Sequence, residues 1–306
     1  MIKRTLYFGN PAYLSTKNAQ MVLRLPSKDG EEEQTRTFPI EDLGVVILDN
    51  KQITITQGLM ERLLENNCAV ITCDSTHMPT GMLLPLDGHS RQSERFKAQL
   101  ACSKPLKKSL WQQTVQAKIA NQASALEHCV PGCKTGNMRA WAEEVRSDDN
   151  MNLEGRAAVY YWGNFFPEIK DFKRDREGFF PNNLLNYGYA ILRGVIARNL
   201  VGSGLLPTMG IHHRNNYNAY CLADDVMEPY RPFVDVLVKR IIKDCDDPWD
   251  LSPAIKRELL TIPTLDVKID GKRRPLMIAA EMTTASLARC FTGESRKISY
   301  PYFKKV

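Results

Sequence analysis

The chain has 306 residues, 43% hydrophobic and 25% charged, with a net charge of +6. This is the composition of a globular protein of one large or two ordinary domains, and no run approaches the roughly 20 apolar residues needed to span a bilayer. The apolar run at the start is too short for a secretory leader, so the chain is expected to be cytoplasmic, with its eight cysteines reduced.

From the N-terminus the pattern is strand-like. Short runs rich in β-branched and aromatic residues lie at Thr5 to Phe8, Ala19 to Leu25, Gly44 to Leu48, Ile53 to Ile55 and Ala69 to Thr72. Ser27-Lys28-Asp29-Gly30, followed by three glutamates, predicts a hairpin loop. Leu59, Met60, Leu63 and Leu64 have helical spacing and predict one short helix among the strands. Prolines, glycines and turn formers from Pro79 to Ser90 mark a change of pattern. Beyond them, Glu94 to Ala101, Leu110 to Glu127, Met138 to Val145, Leu153 to Phe166, Leu184 to Leu200 and Ala219 to Lys243 carry mostly i, i+3, i+4 apolar spacing. The predicted fold is α+β: a small β-rich unit over residues 1–86, a linker over 87–93, and a larger, mainly helical domain over 94–306 ending in a basic tail.

Charge is unevenly spread. Residues 1–90 carry a net −3, residues 91–255 a net +3 and residues 256–306 a net +6. In the last segment Lys268, Lys272, Arg273, Arg274, Arg296, Lys297, Lys304 and Lys305 are interleaved with Tyr300, Tyr302 and Phe303. That combination suits a phosphate backbone with stacked bases, although a charge run taken alone is more often a solvated face. His128, Cys129 and Cys133 lack the second half that a tetrahedral zinc site needs.

Three segments set metal-competent side chains beside apolar stripes. Glu154 stands in Asn152-Leu153-Glu154-Gly155-Arg156-Ala157, near a predicted helix start, where a carboxylate also serves as a cap. His212 and His213 lie in a predicted loop, Gly210-Ile211-His212-His213-Arg214, which suits function but also fits a plain surface pair. Asp224, Asp225 and Glu228 are predicted to open an amphipathic helix, with Asp225 and Glu228 on one face. Pro229 removes the backbone donor to the Asp225 carbonyl and predicts a local distortion.

In their order, and with spacings of 59 and 15 residues between Glu154, His213 and Glu228, these segments resemble those of the CRISPR adaptation integrase family. Leu6 to Ser15 and Leu84 to Gln92 resemble its type II branch, whose loci encode one large RNA-guided nuclease. The resemblance implies Mg²⁺ or Mn²⁺ held by Glu154, His213 and Glu228 as catalytic ligands, with Asp225 as a supporting acid. The doubled histidine is a departure from the family pattern, and His213 is the favoured ligand over His212.

The implied activity is endonuclease and integrase chemistry, joining the 3′-hydroxyl ends of short DNA fragments (spacers) into the CRISPR repeat array. A hard cation with open positions would polarise a phosphoryl oxygen and help a 3′-hydroxyl or water attack. A nuclease that only hydrolyses DNA, or a non-catalytic DNA scaffold, is a lesser reading. Arg156, Arg214, Arg273, Arg274, Lys304 and Lys305 are candidate DNA-binding residues. Implied partners are double-stranded DNA, a second copy in a homodimer formed through the β-rich unit, and a small second CRISPR-associated protein. The large effector nuclease is a further candidate.

Overall fold

A computed structural model describes residues 3–26, 34–175 and 178–303. The chain divides into two compact units, Met1–Ser90 and Arg91–Val306. It is α+β as expected, with strands concentrated in the first unit and helices in the second.

The first unit contains β1 (Arg4–Phe8), β2 (Ala12–Lys17), β3 (Gln20–Arg24), β4 (Thr35–Pro39), β5 (Leu43–Leu48), β6 (Ile53–Ile55), α1 (Gln57–Glu65), β7 (Ala69–Cys73) and β8 (Pro79–Leu83). They form two four-stranded sheets, ordered β1-β5-β7-β8 and β4-β3-β2-β6. β5 runs parallel to both β1 and β7, and this central position explains its uninterrupted apolar sequence, Leu-Gly-Val-Val-Ile-Leu. Leu59 and Leu63 of α1, one helical turn apart, are buried with Leu14, Met21, Ile40, Leu43 and Val46 in the core of the unit. The helix begins where the Thr56 hydroxyl accepts the Leu59 N–H.

The predicted hairpin loop from Ser27 to Gly30 lies outside the described residues, while β3 and β4 on either side of it pair antiparallel. Residues Pro79 to Leu83, whose proline and glycine suggest a connecting segment, form β8 antiparallel to β7. A glycine and a proline are tolerated there because β8 is an edge strand.

The second unit contains α2 (Gln92–Leu100), α3 (Lys104–Cys129), α4 (Gly136–Glu144), α5 (Leu153–Phe165), α6 (Asn182–Gly202), α7 (Cys221–Met227), α8 (Arg231–Asp244), α9 (Pro253–Leu259), β9 (Asp266–Ile269), β10 (Lys272–Pro275) and α10 (Leu276–Phe291). α3 starts at the Ser103 cap, with Pro105 in its first turn, and packs against α4, α5 and α8. α6 is buried along nearly its whole length; a Cβ on Gly188 would meet Val234 of α8 at 2.6 Å, so glycine sets how closely those helices approach. Among the described residues no helix is long and apolar enough to cross a membrane.

The expected basic tail is in large part folded structure. β9 and β10 form a two-residue hairpin at Asp270-Gly271, both at positive φ, and α10 buries Leu276, Met277, Ala280 and Leu287. Arg273 and Arg274 stand exposed on β10, while Lys304 and Lys305 lie outside the described residues.

Candidate active site

The site is organised around α3. Trp111, Val115 and Gln122 lie on a buried stripe of this helix, and Lys118 falls in the same register, seven residues after Trp111. The Lys118 side chain is only 13% exposed. Its ammonium donates a hydrogen bond to Glu154 Oε1 at 2.6 Å and forms an ion pair with Glu228 Oε2, also at 2.6 Å. Two carboxylates far apart in sequence therefore meet on one nitrogen. The other oxygen of Glu228 is 3.0 Å from Arg231 Nη2.

Local structure fixes each acid. Asp149 caps α5, its two carboxylate oxygens accepting the Leu153 and Glu154 N–H groups at 2.9 Å each. Capping is thus Asp149's task, and the Glu154 side chain is left to face Lys118. Glu228 sits at a break between helices: all seven residues of α7 are buried, and Glu228–Tyr230 tighten into a 3₁₀ turn before α8. The distortion predicted from Pro229 is there; it divides the predicted helix into α7, buried in all its residues, and α8, which has one buried face and an exposed end at Lys243 and Asp244. Asn121, one turn beyond Lys118, donates to the Pro229 carbonyl at 2.7 Å and ties the break to α3.

Asp225 is fully buried and anchors the histidine loop. Its Oδ2 accepts the Ile211 and His212 N–H groups at 2.8 and 2.9 Å, and its Oδ1 meets the His213 N–H at 3.2 Å and the His213 Nδ1 at 2.5 Å. Gly210 has no room for a side chain, since a Cβ there would strike the His213 carbonyl and lie 2.8 Å from Asp225 Oδ2. With Nδ1 bound to Asp225, the Nε2 of His213 remains for a ligand or proton. His212 is engaged differently: its ring stacks on Trp111 at 4.1 Å, nearly parallel, while His213 meets the same indole edge-on at 5.8 Å.

The electrostatics follow from these pairings. The hydrogen bond to Asp225 raises the His213 pKa against the opposing effect of burial, and the Asp225, Glu228 and Glu154 charges raise it further. Burial pushes Glu228 up, but Arg231 and Lys118 outweigh it and hold the carboxyl below its ordinary value. Burial likewise opposes the Lys118 charge, and the Glu228 and Glu154 carboxylates overcome it. The cluster is a charged one despite its depth. Among the described residues no three His, Cys, Asp or Glu side chains are grouped as a metal would hold them; the place between the two glutamates is taken by the Lys118 ammonium.

Residues 6–246 match the family model described as CRISPR associated protein Cas1. The chain belongs to the Cas1 family. It is 34% identical over 297 residues to the CRISPR-associated endonuclease Cas1 of Neisseria meningitidis serogroup C (strain 8013), covering 97% of this chain and 95% of the relative. Its fold matches a casposase bound to integration product, with a TM-score of 0.77 over 97% of this chain and 92% of the other at 21% identity. It also matches a chain of a Cas6-RT-Cas1–Cas2 complex, with a TM-score of 0.74 over 97% of this chain and 36% of the other at 22% identity.

Within this Cas1 fold, Glu154 and Glu228 converge on one point, and His213 lies close enough for both charges to act on it. The expected DNA-binding residues are dispersed. The Arg156 guanidinium lies 4.5 Å over the Trp141 ring, Arg214 is exposed beside His213, and Arg273 and Arg274 belong to the β9–β10 hairpin. Sequence reasoning did not single out Lys118, Arg231, Trp111 or Asp149. A lysine in the apolar stripe of a helix, seven residues after a tryptophan, was the available signal for the first.

Proposed function

We propose that this Cas1 family member is the metal-dependent DNA endonuclease and integrase of a CRISPR adaptation system, joining 3′-hydroxyl ends of short duplex fragments into the repeat array. The observation that carries the reading is the meeting of Glu154 and Glu228 on one cationic nitrogen, beside a histidine oriented by a buried aspartate. The names of relatives agree with it: one is called an endonuclease, and one structural neighbour is described with an integration product.

The donor set suits a hard divalent cation. The Glu154 and Glu228 carboxylates meet at the Lys118 ammonium, 2.6 Å from each, and His213 lies close enough for both charges to act on it. Glu154, His213 and Glu228 would hold Mg²⁺ or Mn²⁺, with Asp225 as the supporting acid that sets the His213 ring. When bound, such an ion supplies Lewis-acid stabilisation of charge on the phosphoryl oxygens and a lowered pKa for a coordinated hydroxyl.

The chain's own residues do the rest. Asp225 holds His213 with Nε2 outward, Arg231 keeps Glu228 ionised, and Trp111 limits the movement of both imidazoles. Arg214, Arg273 and Arg274, exposed, offer charge to DNA phosphates. By family resemblance the chain acts as a homodimer through its β-rich unit, together with a small second CRISPR-associated protein. The large type II effector nuclease is a further proposed partner. The test mixes the purified chain, that small partner, a 3′-hydroxyl duplex and a plasmid bearing the cognate array. Fragment joined at a repeat edge supports integration; plasmid nicking without joining supports hydrolysis alone; neither, with DNA still bound, supports a scaffold.

A further inference from the structure

We propose that Lys118 is the resident counter-ion of this site, yielding Glu154 and Glu228 to an incoming divalent cation and turning to a DNA phosphate, so that metal and DNA bind cooperatively. The inference rests on the metal-site reading above and concerns a residue outside the ligand set.

Lys118 and a metal ion compete for the same oxygens. The ammonium sits 2.6 Å from Glu154 Oε1 and 2.6 Å from Glu228 Oε2. A magnesium ion needs oxygens at about 2.1 Å. Ammonium and metal cannot both occupy the space between the same two atoms, so loading the site moves Lys118. Arg231 contacts the other oxygen of Glu228, Oε1, at 3.0 Å, so that carboxylate keeps a cation when Lys118 leaves.

Charge balance links the metal to DNA. Without metal, Glu154 and Glu228 are matched by Lys118 and Arg231 and the four groups sum to zero. Counting the buried Asp225 beside them, a divalent cation held with a neutral His213 leaves one positive charge in excess in a largely buried place, which is costly unless an anion arrives with it. A phosphodiester is such an anion, and the displaced ammonium, on a flexible four-carbon stem with three donors, suits its oxygens. If phosphate stabilises the metal-loaded state, metal must strengthen DNA binding by the same factor.

The test measures Mn²⁺ binding to the full chain by calorimetry, alone and with saturating short duplex carrying 3′-deoxy ends, which cannot be joined. For the wild type, DNA should tighten Mn²⁺ binding by about tenfold, within the usual range of coupling between sites. Lys118→Gln and Lys118→Met should bind Mn²⁺ more tightly than wild type without DNA, with DNA adding little. They should melt lower than wild type without metal and gain more from Mn²⁺. Lys118→Arg keeps the charge and secures the test should the neutral variants not fold: it should bind Mn²⁺ no more tightly than wild type and retain the DNA effect.

Mn²⁺ binding to Lys118→Gln that is equal to or weaker than wild type, or the same DNA enhancement in both, would overturn the proposal. So would Lys118→Arg binding Mn²⁺ equally well with and without DNA. Glu228→Ala separates the two levels. If it abolishes Mn²⁺ binding while Lys118→Gln has no effect, only the Lys118 inference fails; if it leaves binding intact, the metal-site reading fails.

Discussion

Two buried acids, seven residues apart in the chain, touch different partners. Glu228 is met by Lys118 and Arg231, and these cations hold it ionised in spite of burial. Asp235 on α8 is met by the hydroxyls of Tyr161 and Tyr189, and burial pushes its pKa up to about 7. Its tyrosine hydrogen bonds and the Arg174 and Arg231 charges pull the other way without restoring the ordinary value. A carboxylate buried among cations is ready to exchange one cation for another. Depth alone therefore does not fix an acid's charge state, which its neighbours decide.

The sharpest way to break that contrast is to neutralise each acid by one atom. Glu228→Gln should lower strand joining by at least about a hundredfold, the upper range for losing even an outer-shell partner of a metal, with the fold retained. Asp235→Asn should leave joining unchanged and alter stability only. Equal losses in the two variants would remove the distinction. Asp225→Asn comes next: it loosens the histidine loop without removing a proposed ligand, and joining should fall by about ten- to a hundredfold. A fall in turnover with unchanged DNA affinity would mark it as a positioning residue.

Asp235 also gives a pH signature. In the unfolded chain it titrates near 3.8, in the folded one near 7, so the folded state holds the extra proton between those values. The stability it contributes is complete below about pH 4 and is lost as pH rises through about 7. Urea unfolding from pH 4.5 to 8 should therefore show Asp235→Asn gaining on the wild type as pH rises; a constant difference would contradict the raised value. The smallest effect is expected at the hairpin. Replacing Arg273 and Arg274 by Ala should weaken DNA binding and flatten its salt slope by about one to two. An unchanged slope would make the hairpin a solvated surface.

Much of the fold was legible because its elements carry their own periodicity. β5 and β7 read as apolar runs, α3 and α6 as helical stripes, and the Pro229 break followed from a missing N–H. β2, β4 and β8 were harder: Thr35–Pro39 and Pro79–Leu83 are edge strands with little burial, where alternation is weak. The Asp270-Gly271 turn carried a strong hairpin signal that the surrounding basic residues obscured. In the site, Glu154, His213 and Glu228 stood out through motifs. Lys118 did not, because its role arises only where α3, α5 and the turn after α7 pack together. The assignment of capping to Asp149 depended in the same way on a backbone turn that spacing does not disclose.

The central claim is that Glu154, His213 and Glu228 act on one reaction centre. The direct measurement is joining of a 3′-hydroxyl fragment, beside a 3′-deoxy control, by Glu154→Ala, His213→Ala, Glu228→Ala and His212→Ala, with thermal melting of each. Loss of joining in the first three with folding intact, a milder loss in His212→Ala, and no product from the 3′-deoxy fragment is the predicted result. Near-normal joining by all four variants would contradict it, and normal joining by His213→Ala with loss in His212→Ala would move the role to the other imidazole.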